Sequence, residues 1–197
     1  MNTKSDNDLF ALLRKGDESA LSELFTRHYD YLLHYGCQIT PQESQVEECI
    51  QELFLYLFES YHRLGDVRNV KAYLFSSLRR RIIDRVKTDR KRHYSTESSL
   101  PATDILFQED AIVLEEQEMR RVLMEALNSL PWQQREAIYL KYYNHLSTRE
   151  IAEVLGIANQ TVLNTLYIAL KKIRKNPSLR ELMGFLLPLS GLLLYLS

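Results

Sequence analysis

The chain has little of what metal, redox and catalytic sites are built from. Its two cysteines, Cys37 and Cys49, fit no metal or redox spacing and both fall inside helical patterns. They read as small buried residues of a reducing compartment. Five histidines, at positions 28, 34, 62, 93 and 145, are scattered and form no ligand pair with a carboxylate or thiol, so neither metal nor cofactor is expected. There is no glycine-rich phosphate loop, no nucleophile constellation and no pair of catalytic carboxylates, which excludes the common enzyme designs. Met1–Asp8 is polar, with no apolar run behind a basic start, so no signal peptide is expected. No apolar run reaches the roughly twenty residues of a spanning helix. The longest, Leu182–Leu196, is interrupted by Gly184, Pro188 and Gly191. Only six glycines and five prolines in 197 residues, with long periodic stretches between them, argue for a mostly helical chain.

Charge is present but uneven. The formal net charge is only -1. Residues 1–66 nevertheless carry five Lys/Arg against twelve Asp/Glu, residues 67–107 ten against four, residues 108–140 three against seven, and residues 141–197 seven against three. Two basic blocks separated by acidic ones suggest two contacts with a polyanion, plus acidic surface for another partner.

Apolar periodicity places the helices. Ser5 or Asp6 can cap a first helix that Gly16 ends, and Asp17 caps a second with Ala20, Leu21, Leu24, Phe25, His28, Tyr29, Leu32 and Leu33 on one face. A third, roughly 42–62 after Pro41, buries Val46, Ile50, Leu53, Phe54, Leu57, Phe58 and Tyr61 and turns Glu47, Glu48, Gln51, Glu52, Tyr56 and Glu59 outward. Asn69 can cap a fourth helix to about Arg92, with eight basic residues from Arg79 onward against Asp84 and Asp89. Cations beside Tyr73 and Phe75 suit nucleic acid, since charge holds phosphate while rings stack on unpaired bases.

The polar stretch 95–107 reads as a linker, and helical periodicity resumes over 109–128 and again from Trp132 to about Tyr143. The segment Leu146–Ile173 then gives a short helix with Ile151, Ala152, Val154 and Leu155 apolar, Gly156 at the turn, and Ile157 plugging it. Asn159 is placed to cap a second helix carrying Val162, Leu166, Ala169, Leu170 and Ile173. Helix, glycine turn, helix with small Ala152 at the crossing reads as a helix-turn-helix. The expected fold is all-α: two small helical domains, 5–93 and 109–176, joined by a flexible linker at 94–108 and followed by a hydrophobic tail from 177.

From about residue 5 to 175 the chain resembles the extracytoplasmic-function sigma factors of bacterial RNA polymerase. VEECIQELFLYLF is similar to that family's polymerase-binding motif, matched by Glu48 (commonly Asp in the family), Gln51, Glu52 and Phe54. VKAYLFSSLRRRIIDRVKTDRKR resembles the segment that melts and reads the minus-ten promoter element. That implies roles for Tyr73, Arg79, Arg80, Arg81, Asp84, Arg85 and Lys87, with Arg80 standing where the family commonly has Asn. Leu130-Pro131, Arg135-Glu136, Ser147, Glu150-Ile151-Ala152, Leu155-Gly156-Ile157 and Thr161-Val162 resemble the domain that binds the minus-thirty-five element. The resemblance implies DNA contacts from Arg149, Gln160, Thr161, Asn164, Tyr167, Lys171 and Lys172. Leu163, Thr165 and Ile168 stand where many members have cations, so weak intrinsic DNA binding is expected.

The function so implied is a non-enzymatic specificity subunit. Its partners would be core RNA polymerase (β′ and β subunits), promoter DNA and a membrane-associated anti-sigma protein. The free factor would be a cytoplasmic monomer, with Leu182–Leu196 packing on the protein or a partner or lying at a membrane surface. The competing reading is a free-standing helix-turn-helix regulator with an N-terminal sensing or dimerisation domain. The basic block upstream of the linker, which such a regulator does not need, speaks against it.

Overall fold

A computed structural model describes residues 4–92, 114–177 and 179. The expected linker and the Leu182–Leu196 tail therefore lie outside the described residues. Eight α-helices and no strand occur among those described. α1 (Asp6–Leu13) begins with a capping box, in which the Ser5 hydroxyl accepts from the Asp8 N–H and the Asp8 carboxylate accepts from Ser5. Asp17 caps α2 (Glu18–Ile39) through the N–H groups of Ser19 and Ala20. α3 (Glu43–Glu59) ends in a single 3₁₀ turn, Tyr61–Arg63. Asn69 Oδ1 accepts from Ala72 N at 2.8 Å and so starts α4 (Val70–Arg92).

These four helices close around Leu24, Leu32, Ile50, Leu53, Leu57, Leu74 and Leu78, all at 0 % exposure. Burial of this kind supplies most of the stabilisation, since each such side chain removed from water contributes about 1.5–3 kcal/mol. Gly36 in mid-α2 sits where α2, α3 and α4 come together. A Cβ there would lie 2.2 Å from Val46 Cγ1 and 3.0 Å from Ile82 Cδ1, so only glycine permits the approach.

The second half comprises α5 (Leu114–Asn128), α6 (Trp132–Ile138), α7 (Thr148–Leu155) and α8 (Asn159–Arg174). Gly156, at φ 67, takes the left-handed conformation that ends α7. A second capping box, Ser147 with Glu150, starts it. Val162, Leu166 and Ala169 of α8 turn inward with Ile151 and Val154 of α7, which gives the helix-turn-helix.

Several local expectations are corrected. The helix expected from Trp132 to about Tyr143 has that extent, but its last turn, Tyr139–Tyr143, is π-helical, where the wider ring accommodates buried Tyr139 and Leu140. Asn159 is the first residue of α8, and Ala158 occupies the cap without a side-chain bond. Ile157 is 38 % exposed and does not plug the turn; Phe25, Phe58 and Tyr61 are exposed although their spacing placed them in the core.

The two halves are not separate cores. Buried residues of α1–α4 and of α6–α8 belong to one continuous apolar cluster, with α4 packed along α7. A small satellite cluster joins Val122 and Ala126 of α5 to Leu179 beyond α8. No helix among the described residues is long and apolar enough to cross a membrane.

Candidate functional site

The outer face of α3 carries Glu48, Gln51 and Glu52, all exposed, while Phe54 points back into the core at 6 % exposure. Phe54 meets Phe25 of α2 edge to face, ring centroids 5.0 Å apart. Beside them opens a groove of about 450 Å³ lined by Leu21, Phe25, Gln51, Phe54, Leu55 and Phe58. Exposed Phe25, Leu55 and Phe58 form an apolar wall next to a polar, acidic rim. Periodicity alone missed this groove, because it assigned Phe25 and Phe58 to the interior; the signal was an apolar row too wide for one helix contact.

α4 distributes its cations unequally. Arg80 is open, its side chain 86 % exposed and 3.9 Å from Asp84. Lys87 is exposed on the same outer side. Arg81 lies over the Tyr56 ring of α3, 5.4 Å from its centroid, and donates to Ser77 O at 3.4 Å. Tyr73 is half-buried with its ring edge on Phe10 at 5.7 Å. Arg85 bridges both acidic residues of the α3 face, donating to Glu48 Oε2 at 2.7 Å and to Glu52 Oε1. The predicted docking residues and the predicted minus-ten residues thus meet through this arginine.

Arg79 is placed differently. It turns to the second half of the chain and donates from Nε to Glu136 Oε1 at 2.9 Å and from Nη2 to Glu136 Oε2 at 3.3 Å. The Tyr35 hydroxyl donates to the same Oε1 at 2.7 Å, and the Trp132 ring covers the guanidinium at 5.7 Å. The Glu136 side chain is 1 % exposed. Burial pushes its carboxyl above the usual range, with Arg79 and Tyr35 opposing that shift. Burial likewise holds the Tyr35 hydroxyl well above its ordinary value, so it stays a donor. Two further bonds cross the same joint: Lys71 Nζ donates to Asn144 O at 2.7 Å, and Asn69 Nδ2 to Glu150 Oε1. Sequence reasoning had no signal for this pairing, since the partners lie 57 and 101 residues apart.

Gln160, Thr161, Asn164, Tyr167, Lys171 and Lys172 are all exposed along α8, and Arg149 is exposed on α7. Gln160 Nε2 donates to Asn164 Oδ1 at 3.3 Å, and Lys171 lies over the Tyr167 ring at 5.9 Å. This is an open helical face with cations at its C-terminal end, suited to a major groove flanked by phosphate. No cluster of metal-ligating side chains occurs among the described residues.

An acidic outer face on α3, the cationic helix α4 and a helix-turn-helix follow in this order along the helical chain described. Two family models match: Sigma-70 region 2 over residues 24–92 and Sigma-70 region 4 over residues 120–173. The chain is 32 % identical to the ECF RNA polymerase sigma factor SigL of Mycobacterium tuberculosis, covering 80 % of this chain and 89 % of that one. It is 28 % identical to the ECF sigma factor RpoE of Cereibacter sphaeroides, over 90 % of this chain and all of that one. Among solved structures, CnrH in complex with the cytosolic domain of CnrY superposes with a TM-score of 0.60 at 22 % identity, covering 87 % of this chain and 96 % of that one. The sigma factor RpoE in complex with the anti-sigma factor NepR from Bartonella quintana superposes at 0.58, with 19 % identity and 83 % and 96 % coverage. The chain belongs to the extracytoplasmic-function sigma factors of RNA polymerase, the family its motifs resemble.

Proposed function

We propose that this sigma factor docks on core polymerase through the outer face of α3. Glu48, Gln51 and Glu52 contact the partner, and Phe54 fixes the helix from beneath. The observation that carries this is the acidic, amide-bearing face beside an open apolar groove, which offers both a charge pattern and a place for an apolar side chain. The minus-ten element is held by Arg80, Arg81 and Lys87, with Asp84 orienting Arg80 and Tyr73 available at the less charged end. Arg79 and Arg85 join that surface once Glu136, Glu48 and Glu52 release them. Arg149, Gln160, Thr161, Asn164, Tyr167, Lys171 and Lys172 face the minus-thirty-five element. Residues 5–93 and 109–176 act as the two DNA-reading units.

The factor performs no chemistry itself and works in the cytoplasm beside its polymerase. An anti-sigma protein is the natural antagonist, because one solved neighbour, RpoE from Bartonella quintana, is a sigma factor in complex with the anti-sigma factor NepR. The docking assignment is tested with Gln51→Ala combined with Glu52→Ala. The doubly substituted protein should keep its helical content and melting profile but lose co-elution with core polymerase. Undiminished co-elution would remove the α3 face from the account.

A further inference from the structure

We infer that α8 is built to read an adenine next to a thymine methyl, and not a guanine; this rests on the proposed role of α8 at the minus-thirty-five element. The commonest reader of guanine is an arginine or lysine, and cytosine is read by a carboxylate. Residues 159–170, the part of α8 that would enter the groove, carry none of these. What they present is the amides of Asn159, Gln160 and Asn164, with Thr161, Tyr167 and an apolar flank.

The amides are already ordered. Gln160 Nε2 donates to Asn164 Oδ1, and these are neighbours one turn apart on the exposed face. That bond uses one N–H of Gln160 Nε2 and holds the two amides together, with Gln160 Oε1 left to accept and the Asn164 Nδ2 hydrogens left to donate. Adenine offers the complement in the major groove: an N6 amino donor beside the N7 acceptor. Guanine offers only acceptors there, N7 and O6, so Gln160 Oε1 would face an acceptor and stay unpaired. The Thr165 hydroxyl, an alternative reader on the same turn, is tied to Thr161 O at 2.8 Å. Leu163, 43 % exposed, lies between the two amides in sequence and has no polar function to offer a base edge. A thymine C5 methyl is the base feature such a side chain can cover.

The test uses the full chain assembled with core polymerase and a promoter pool randomised over the upstream element. Selection should enrich an adenine with a neighbouring thymine at the bases α8 protects. Replacing that adenine by 7-deazaadenine, which lacks only the N7 acceptor, should weaken binding about tenfold. Replacing the thymine by deoxyuridine should weaken it several-fold, and Leu163→Ala should abolish the difference between the two. Enrichment of G·C at those positions, or indifference to both base analogues, overturns the inference while leaving the sigma reading intact. Absence of any upstream protection would instead remove α8 from the minus-thirty-five element, and the inference with it.

Discussion

Replacing Glu136 by alanine removes a carboxylate that accepts three hydrogen bonds from two side chains, Tyr35 and Arg79. It leaves the Tyr35 hydroxyl, at a residue of 0 % exposure, without its carboxylate acceptor, and Arg79, its side chain 21 % exposed, without its counter-charge. Breaking one side of a buried ion pair costs about 3–5 kcal/mol, and the partial solvation of Arg79 puts this case near 3. For a chain of this length 1 kcal/mol moves the melting temperature by about 2–4 °C, so Glu136→Ala should lower it by about 6–12 °C. Because the halves share one apolar cluster, the loss should appear in a single transition.

Arg79→Ala should cost more at neutral pH, since it strands a carboxylate that is 1 % exposed. Its cost should depend on pH in a defined direction. Burial already raises the Glu136 carboxyl, and Arg79 is the principal opposing influence. Without Arg79 the folded form binds the proton more tightly than the unfolded chain. The variant is therefore least impaired below the ordinary glutamate value of 4.5 and loses stability as pH rises through the raised folded value. Replacing both residues by leucine should recover most of the loss, because apolar replacement of a buried pair is close to neutral. Calorimetry of the two single variants and the double alanine variant gives the coupling directly. Additive single losses, or a Glu136→Ala shift below about 2 °C, would refute the claim that this pair holds the halves together.

Gly36→Ala should destabilise the α1–α4 bundle by about 1–3 kcal/mol, measured by denaturant unfolding, because its methyl meets Val46 and Ile82 at a crowded crossing. His28 is buried with Nε2 2.8 Å from Asp6, and burial lowers its pKa despite that carboxylate, with Lys71 and Arg27 adding to the fall. The unfolded chain then binds more protons, so stability should decline as pH drops below about 6.5, and His28→Gln should flatten that slope in pH-dependent melts. Burial raises the Cys37 thiol to about 11, and Cys49 shifts the same way. Iodoacetamide should therefore modify both slowly in the native protein at pH 8 and rapidly in guanidinium.

Much of the architecture was legible because it follows from local rules. The 3.6-residue apolar rows gave the helices, Ser147 with Glu150 and Gly156 gave the ends of α7, and the all-α class followed from them. Periodicity reports which side of a helix is apolar, not which neighbour covers it. That is why Phe25 and Phe58 read as core although they wall a groove, and why Arg79 read as a DNA contact although it lies against Glu136. The π turn at Tyr139–Tyr143 is equally invisible in pattern, since its extra residue per turn serves the packing of Tyr139, which stacks near Tyr35 with ring centroids 6.4 Å apart. The resemblance in motif order identified the family, but could not say that the two halves close on each other.

The most direct measurement is run-off transcription with purified core polymerase on a library of genomic promoter fragments, with and without the full chain. The account predicts transcripts from a defined subset of fragments only when the protein is present, and their loss with Gln51→Ala combined with Glu52→Ala. An unchanged transcript pattern on every fragment, with core polymerase that responds to another sigma factor, would contradict it.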